Sequence, residues 1–336
     1  PVFVSILDHI GGTRLVPLRY LTAGGAGAPA SAPTRILLKL EYENPTGSMK
    51  DRMALAMVEA AQADGRLKPG GSVVEYTGGS TGVSLSFVCA AKRIPLQIVT
   101  SDAFSKEKRD HMEALGAKLT LIHSPTGGTT KALTLEMIEA ARQLATAPGS
   151  YWTDQLNNTD QLAAYLKMGD EIWEQSGGRV DAYVQSVGTC GSLRGGATRL
   201  RELNPALHAV AVEPEESPAL SGKPTGSHGI EGIGIGYAAP LWSGTPATGG
   251  KGAPGAGSPG AVSLVNEIET VSTQEAMEMA RRLAREEGIF AGTSTGANVT
   301  AALRLARRLP PGSTIVTLAV DTGMKYLSTE LYGRRS

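Results

Sequence analysis

Apolar residues along this chain fall into short blocks, separated by longer stretches in which they recur every three or four positions. In the first half, RILLKLE (35–41), SVVEYT (72–77), LQIVT (96–100) and KLTLI (118–122) have the length of buried strands. Helical spacing falls over 51–62, 81–93, 105–115 and 129–144. The second half repeats the alternation. Helices are expected over 160–173, 192–203, 274–287 and 295–308, and strands at AYVQSV (182–187), HAVAVE (208–213) and TIVTLAV (314–320). Such a rhythm predicts parallel sheets joined by crossover helices. Over 336 residues it predicts an α/β fold of two doubly wound lobes with a cleft between them. No short internal period is present, which excludes a solenoid.

Composition narrows the classes. Hydrophobic residues make up 41% and charged residues 19%, as in a soluble globular protein. Lys+Arg and Asp+Glu both number 32, so no net field points to nucleic acid or an acidic membrane surface. No apolar run is long enough to span a bilayer, and PVFVSILDHIGG (1–12) lacks the features of a secretory signal. A cytoplasmic enzyme is expected. Cys89 and Cys190 sit among small residues and read as inert buried thiols, with no disulfide framework. Two of the glycine-rich stretches, 22–34 and 243–261, read as flexible surface loops.

The chemistry starts from NPTGSMKDR (44–52), which sets Lys50 between a glycine-containing turn and a helix start, with Asp51 placed to cap the helix. A lysine picked at random is a solvated surface residue. Three further turns bear on this one. YTGGSTG (76–82) runs from a strand end into a helix. Its free amides, with hydroxyls from Thr77, Ser80 and Thr81, make an anion site suited to a substrate carboxylate, or an ordinary tight turn. SVGTCGSLRGG (186–196) repeats the geometry, and Gly188, Thr189, Gly191 and Ser192 are placed to wrap one phosphate. It lacks the lysine of a nucleoside-triphosphate loop. GTSTG (292–296) matches the nucleophile-elbow pattern at Ser294, but all five histidines precede it, against the chain order of that hydrolase class. GIGYAA (234–239) fits a relaxed dinucleotide fingerprint, yet no strand precedes it and Pro240 stands where the helix should run. The cysteines and histidines show no metal-ligand spacing. A cofactor with one phosphate and an aldehyde for a lysine amine, pyridoxal 5'-phosphate, would use the whole inventory.

These residues resemble the fold-type II pyridoxal-phosphate enzymes, specifically the cysteine synthase and cystathionine β-synthase group. IGGTRLVPL (10–18) is similar to that family's opening IGNTPLV, and NPTGSMKDR to its NPxxSxKDR lysine motif. TGGSTG (77–82) falls on the TSGNTG substrate loop and GTCGS (188–192) on the GTGGT phosphate loop. VEPEESPALSG (212–222), GIEGIGIGY (229–237) and GTSTGA (292–297) follow in family order. The resemblance spans about residues 8–332.

By this resemblance Lys50 is the Schiff-base lysine and the base for the α-proton, and Asn44 is a turn residue. Gly188, Thr189, Cys190, Gly191 and Ser192 hold the phosphate, while Ser80 and Ser294 contact the cofactor ring. Thr77, Gly78, Gly79, Ser80, Thr81 and Gln155 take the substrate carboxylate. The implied reaction is β-replacement on an activated serine such as O-acetylserine, through an aminoacrylate to which sulfide or another small nucleophile adds. β-Elimination, as in a cysteine desulfhydrase or serine/threonine dehydratase, stays open, as does a catalytically silent binding protein. The implied domains are 41–146 as a smaller substrate-loop lobe, and 1–40 with 147–336 as a larger phosphate-binding lobe carrying the 243–261 insertion. A homodimer is expected, with no nucleic-acid or membrane partner. Three positions depart from the family: Ser80 replaces an asparagine, Gly78 a serine and Cys190 a glycine. The Cys190 side chain must point away from the phosphate or narrow its pocket.

Overall fold

The structure, a computed structural model, describes residues 5–22, 34–125, 127, 130–243 and 261–333. Apart from their ends, the expected flexible stretches 22–34 and 243–261 lie outside the described residues. In chain order the elements are β1 (Leu15–Pro17), β2 (Arg35–Lys39), α1 (Lys50–Ala63), β3 (Ser72–Tyr76), α2 (Ser80–Lys92), β4 (Leu96–Ser101), α3 (Lys106–Ala114), β5 (Lys118–Ile122), α4 (Lys131–Leu144) and β6 (Ser150–Trp152). Then follow α5 (Gln161–Gln175), β7 (Ala182–Ser186), α6 (Gly191–Leu203), β8 (His208–Pro214), α7 (Pro240–Ser243), β9 (Glu267–Val271), α8 (Thr273–Arg282), α9 (Thr293–Ala306) and β10 (Thr314–Leu318).

Two sheets result. The smaller has the order β5-β4-β3-β6 and is parallel throughout. The larger has the order β1-β2-β10-β7-β8-β9, parallel except where β1 returns antiparallel onto β2. Its central strands β7 and β10 are buried at every position, because helices cover both faces. The apolar blocks of the sequence became inner strands, except KLTLI (118–122), which forms β5 at the edge of the smaller sheet with its residues exposed or only partly buried. Missed were β1, β6 and β9, short strands at sheet edges, all three only partly buried, where the apolar signal is weak. The helix expected to 287 is α-helical to Arg282 and continues as a wider π-turn over Leu283–Glu287.

A buried charge network anchors α1. Arg52 Nε donates to Glu41 at 2.7 Å, and its Nη2 donates to Glu41 at 2.9 Å and Glu171 at 2.7 Å. Lys39 reaches the same Glu171 at 2.7 Å, and Asn44 Nδ2 donates to Glu41 at 3.1 Å. Burial alone would lower the Arg52 pKa, but the two carboxylates hold it above its ordinary value. Glu171, despite burial that opposes ionisation, is drawn down to about 2 by Arg52 and Lys39. Asn44 is thus a turn anchor, as expected.

Candidate active site

One cavity opens between the two sheets, at the carboxyl ends of their parallel strands. It spans about 1050 Å³ including its mouth, room for a cofactor together with an amino acid. Lys50, Thr77, Gly78, Gly79, Ser80, Thr81, Gln155, Gly188, Thr189 and Ser294 all line it. Residues from five separate stretches of chain are therefore brought together. Cys190, Gly191 and Ser192 continue the same turn into α6 and are not part of that lining.

Lys50 is the first residue of α1. Asp51 does not cap that helix as expected: Met49 holds the cap position, and Asp51 instead turns back to accept from Thr46 N at 2.8 Å and Thr46 Oγ1 at 2.5 Å. The carboxylate holds the lysine turn shut from behind. Lys50 is half-buried, and among the described residues no hydrogen bond or ion pair engages its Nζ. Burial lowers its pKa to about 8, with Asp321 opposing the shift and Lys325 adding to it. A lysine so placed is a nucleophilic amine near neutral pH.

The turn between β3 and α2 has the features of an anion site. Helix α2 carries no side-chain cap, so the N–H groups of its first turn are left for a ligand. Thr77 Oγ1 accepts from Gly79 N at 3.1 Å, which orders the turn and leaves the hydroxyl hydrogen to donate. A Cβ on Gly78 would run into the Phe104 ring, so the ring occupies the space a side chain at 78 would need. Gln155 sits opposite. Its Oε1 accepts from Thr81 Oγ1 at 2.8 Å and its Nε2 donates to Tyr76 O at 2.9 Å, leaving one N–H of the amide for the cavity.

The turn between β7 and α6 is built alike. Helix α6 has no side-chain cap, and Cys190, with φ at +74°, holds the left-handed position before it. The Cys190 side chain is buried in the apolar cluster with Leu193 and Ala197. It therefore points away from the open side of the turn. Burial raises its thiol pKa to about 12, as it does for Cys89, and both cysteines are free and inert. A Cβ on Gly191 would collide with Gln161 Oε1, the same atom that accepts from Thr189 Oγ1 at 3.2 Å.

Ser294 lies in the first turn of α9, another helix without a side-chain cap. It is buried, and among the described residues its hydroxyl has no partner. The donor set fits pyridoxal phosphate: a free amine, an uncapped helix start for the phosphate, and a lone hydroxyl for the ring nitrogen.

Four charged residues at this site were not anticipated. Asp321 accepts from Ser80 Oγ at 3.0 Å and Tyr326 OH at 2.7 Å, while its Oδ1 is buried without a partner. Lys325 Nζ donates to Ser80 Oγ at 3.3 Å. Lys108 pairs with Glu231 at 2.5 Å and lies 4.3 Å from the Tyr326 ring centroid. Asp321 lies three residues beyond the end of β10, and ligand sites gather at that end of such strands. That rule could have flagged it. For Lys108, inside the charged run SKEKR, no sequence signal separates it from a solvated face.

Residues 6–321 match the family described as pyridoxal-phosphate dependent enzyme. Cysteine synthase of Staphylococcus aureus strain Mu50 is 38% identical over 330 residues, covering 98% of this chain and 96% of that protein. Among solved structures, cysteine synthase from Entamoeba histolytica superposes with a TM-score of 0.87 at 36% identity, covering 100% of this chain and 92% of that one. The O-acetylserine dependent cystathionine β-synthase of Helicobacter pylori gives 0.84 at 31%, covering 99% and 100%. Among the described residues, no helix is long and apolar enough to cross a membrane. Matched over residues 6–321, the chain belongs to the pyridoxal-phosphate dependent enzymes of fold type II, in their cysteine synthase group.

Proposed function

We propose that the chain catalyses β-replacement on an activated serine, with O-acetylserine as donor and sulfide, or another small nucleophile, as acceptor. Overall the Cβ–O bond breaks, a Cβ–S bond forms and acetate leaves. The observation that carries this reading is the convergence of the Lys50 amine, the uncapped start of α2, the Gly188–Thr189 turn that leads into the uncapped α6, and the Ser294 hydroxyl on one cavity. Pyridoxal phosphate, when bound, supplies an aldehyde for the lysine and a conjugated ring that accepts electrons from Cα.

Each residue then has a task. Lys50 holds the cofactor, and its lowered pKa leaves the amine able to take the α-proton near neutral pH. Thr77, Gly78, Gly79, Ser80 and Thr81, with the free N–H of Gln155, hold the donor's carboxylate. Gly188, Thr189, Cys190, Gly191 and Ser192 hold the phosphate, Cys190 through its backbone alone. Ser80, oriented by Asp321 and Lys325, would contact the cofactor ring. Ser294 would hydrogen-bond the ring nitrogen through a neutral hydroxyl, where a carboxylate would bring a charge.

The same reading assigns the substrate turn to a lobe over 41–146, and the phosphate turn to a lobe of 1–40 with 147–336, whose β6 pairs into the smaller sheet. It places the protein in the cytoplasm, where the two free thiols stay reduced, and makes it a homodimer by family resemblance. Light scattering tests the dimer.

The first experiment is visible absorption. Wild type is expected to purify yellow or to take up added pyridoxal phosphate, to change its band with O-acetylserine, and to recover it with sulfide as cysteine forms. Lys50→Ala lacks the wild-type band. A wild type that stays colourless with added cofactor would overturn the catalytic reading and leave a silent binding protein. Pyruvate in place of cysteine would move the assignment to β-elimination.

A further inference from the structure

Glu75 lies in β3, is fully buried, and stands outside the cavity lining. Buried carboxylates are rare unless something holds them. Four donors converge on this one. Tyr76 N at 2.8 Å and Trp152 Nε1 at 3.4 Å donate to Oε1. Thr153 Oγ1 at 2.6 Å and Gln155 N at 2.9 Å donate to Oε2. The last two flank Asp154, a non-glycine residue with φ at +46°. A residue in that region is strained and persists only when its surroundings over-determine it. Glu75 grips both sides of the strained turn.

The turn positions Gln155, whose every other group is also held. Its carbonyl accepts from Gln161 Nε2 at 2.7 Å, and Gln161 Oε1 accepts from Thr189 in the phosphate turn. Its side chain is fixed by Thr81 and Tyr76. Only one amide hydrogen is left to face the cavity.

We propose that Glu75 is the positioning residue for amino-acid binding: by holding the Thr153–Gln155 turn it aims the Gln155 amide, and its protonation loosens that aim. The inference rests on the reading of Gln155 as a carboxylate-binding residue. The ionised form is acceptor-only and suits four donors. A proton on Oε1 opposes the N–H of Tyr76 or Trp152, and a proton on Oε2 makes the Thr153 hydroxyl turn from donor to acceptor or opposes Gln155 N. Burial raises the Glu75 pKa to about 7, against the donors Thr153 and Gln155, and Asp154 raises it further. The other titratable groups that feel its charge are Tyr76 and Tyr151. Arg142 on α4 acts on Asp154. As pH falls through about 7, donor binding weakens while the chemical step is spared.

Glu75→Gln is the test, because it keeps the shape and makes one end a donor. With its NH2 at Oε1 it would oppose two N–H groups, Tyr76 N and Trp152 Nε1. At Oε2 it would oppose only Gln155 N, since the Thr153 hydroxyl can turn to accept. The conflict therefore falls on Gln155. KM for the amino-acid donor is expected to rise about tenfold with kcat within about twofold, the size of one lost buried hydrogen bond. The rise of KM below pH 7 disappears. Hydrogen exchange of the 151–158 peptide, read without substrate or cofactor, speeds up. Should Glu75→Gln not fold, Thr153→Val removes one donor that stabilises the ionised form, and the midpoint of the KM profile moves up. Unchanged KM, pH profile and exchange in a folded Glu75→Gln protein would overturn the proposal, as would an unmoved midpoint in Thr153→Val. A failure of the cofactor reading shows instead as a colourless wild type, with the exchange difference intact.

Discussion

Two amines near the centre of the molecule have been pushed the same way. Burial lowers both Lys50 and Lys325 to about 8, and Asp321 opposes the shift in each. Removing Asp321's charge should let the Lys50 pKa fall further. In the cofactor-free protein, the rate at which Lys50 is trapped by a small aldehyde and borohydride should rise through about pH 8, as the amine loses its proton. In Asp321→Asn that midpoint should move to lower pH, read by mass spectrometry of the tagged peptide. A midpoint that stays put would separate Asp321 from Lys50. The same shifts bear on stability. From about pH 8 towards 9, the unfolded chain carries protons on both lysines that the folded chain has given up, so stability rises with pH across that window. Above that the unfolded chain also loses the Cys89 and Cys190 thiol protons, which the folded chain keeps, so the urea midpoint of the cofactor-free protein should increase from pH 8 and level off from about 9.

At the scale of an element, the lysine motif is less about the lysine than about where α1 begins. Arg52 and Glu41 are 4% and 0% exposed, so each is a buried charge made tolerable by the other. Arg52→Met leaves Glu41 buried and unpaired and should cost about 3–5 kcal/mol in urea unfolding. Arg52→Lys keeps the charge but loses the two-pronged donation, and should fall between. Lys50→Ala, which breaks no hydrogen bond or ion pair of the amine among the described residues, should unfold close to wild type. The strand and helix bodies were readable because their apolar spacing is local. The anchor was not: Glu41 lies eleven residues from Arg52 and Glu171 lies 119 away, and no local pattern announces that pairing. Asp51 misled for a related reason. An acidic residue at a helix start suggests a cap, and only the folded turn reveals that it accepts from Thr46 instead.

At the scale of the molecule, the glycine-rich turns announced themselves because backbone amides at strand-to-helix junctions depend on sequence nearby. The polar contacts that close one side of the cleft do not. Ser80 with Asp321, Lys325 with Ser80, and Lys108 with Glu231 each join chain around the smaller sheet to chain around the larger, across 123 residues or more. The Lys108–Glu231 pair is asymmetric, with side-chain exposures of 2% and 28%. Either substitution removes the same charge pair, but the residue left behind differs. Glu231→Gln leaves a buried ammonium with a neutral amide oxygen and the Tyr326 ring in place of a carboxylate, and should destabilise by about 3 kcal/mol. Lys108→Met leaves a carboxylate that water can solvate and puts an unbranched apolar chain where the buried stem ran, so it should cost less than about 1 kcal/mol. Urea unfolding of the two variants reads the difference. Equal losses would mean that the contact itself carries the energy; a large loss in Glu231→Gln alone would mean that burial of Lys108 does, and that the pair exists to make a cation tolerable at the wall of the cleft.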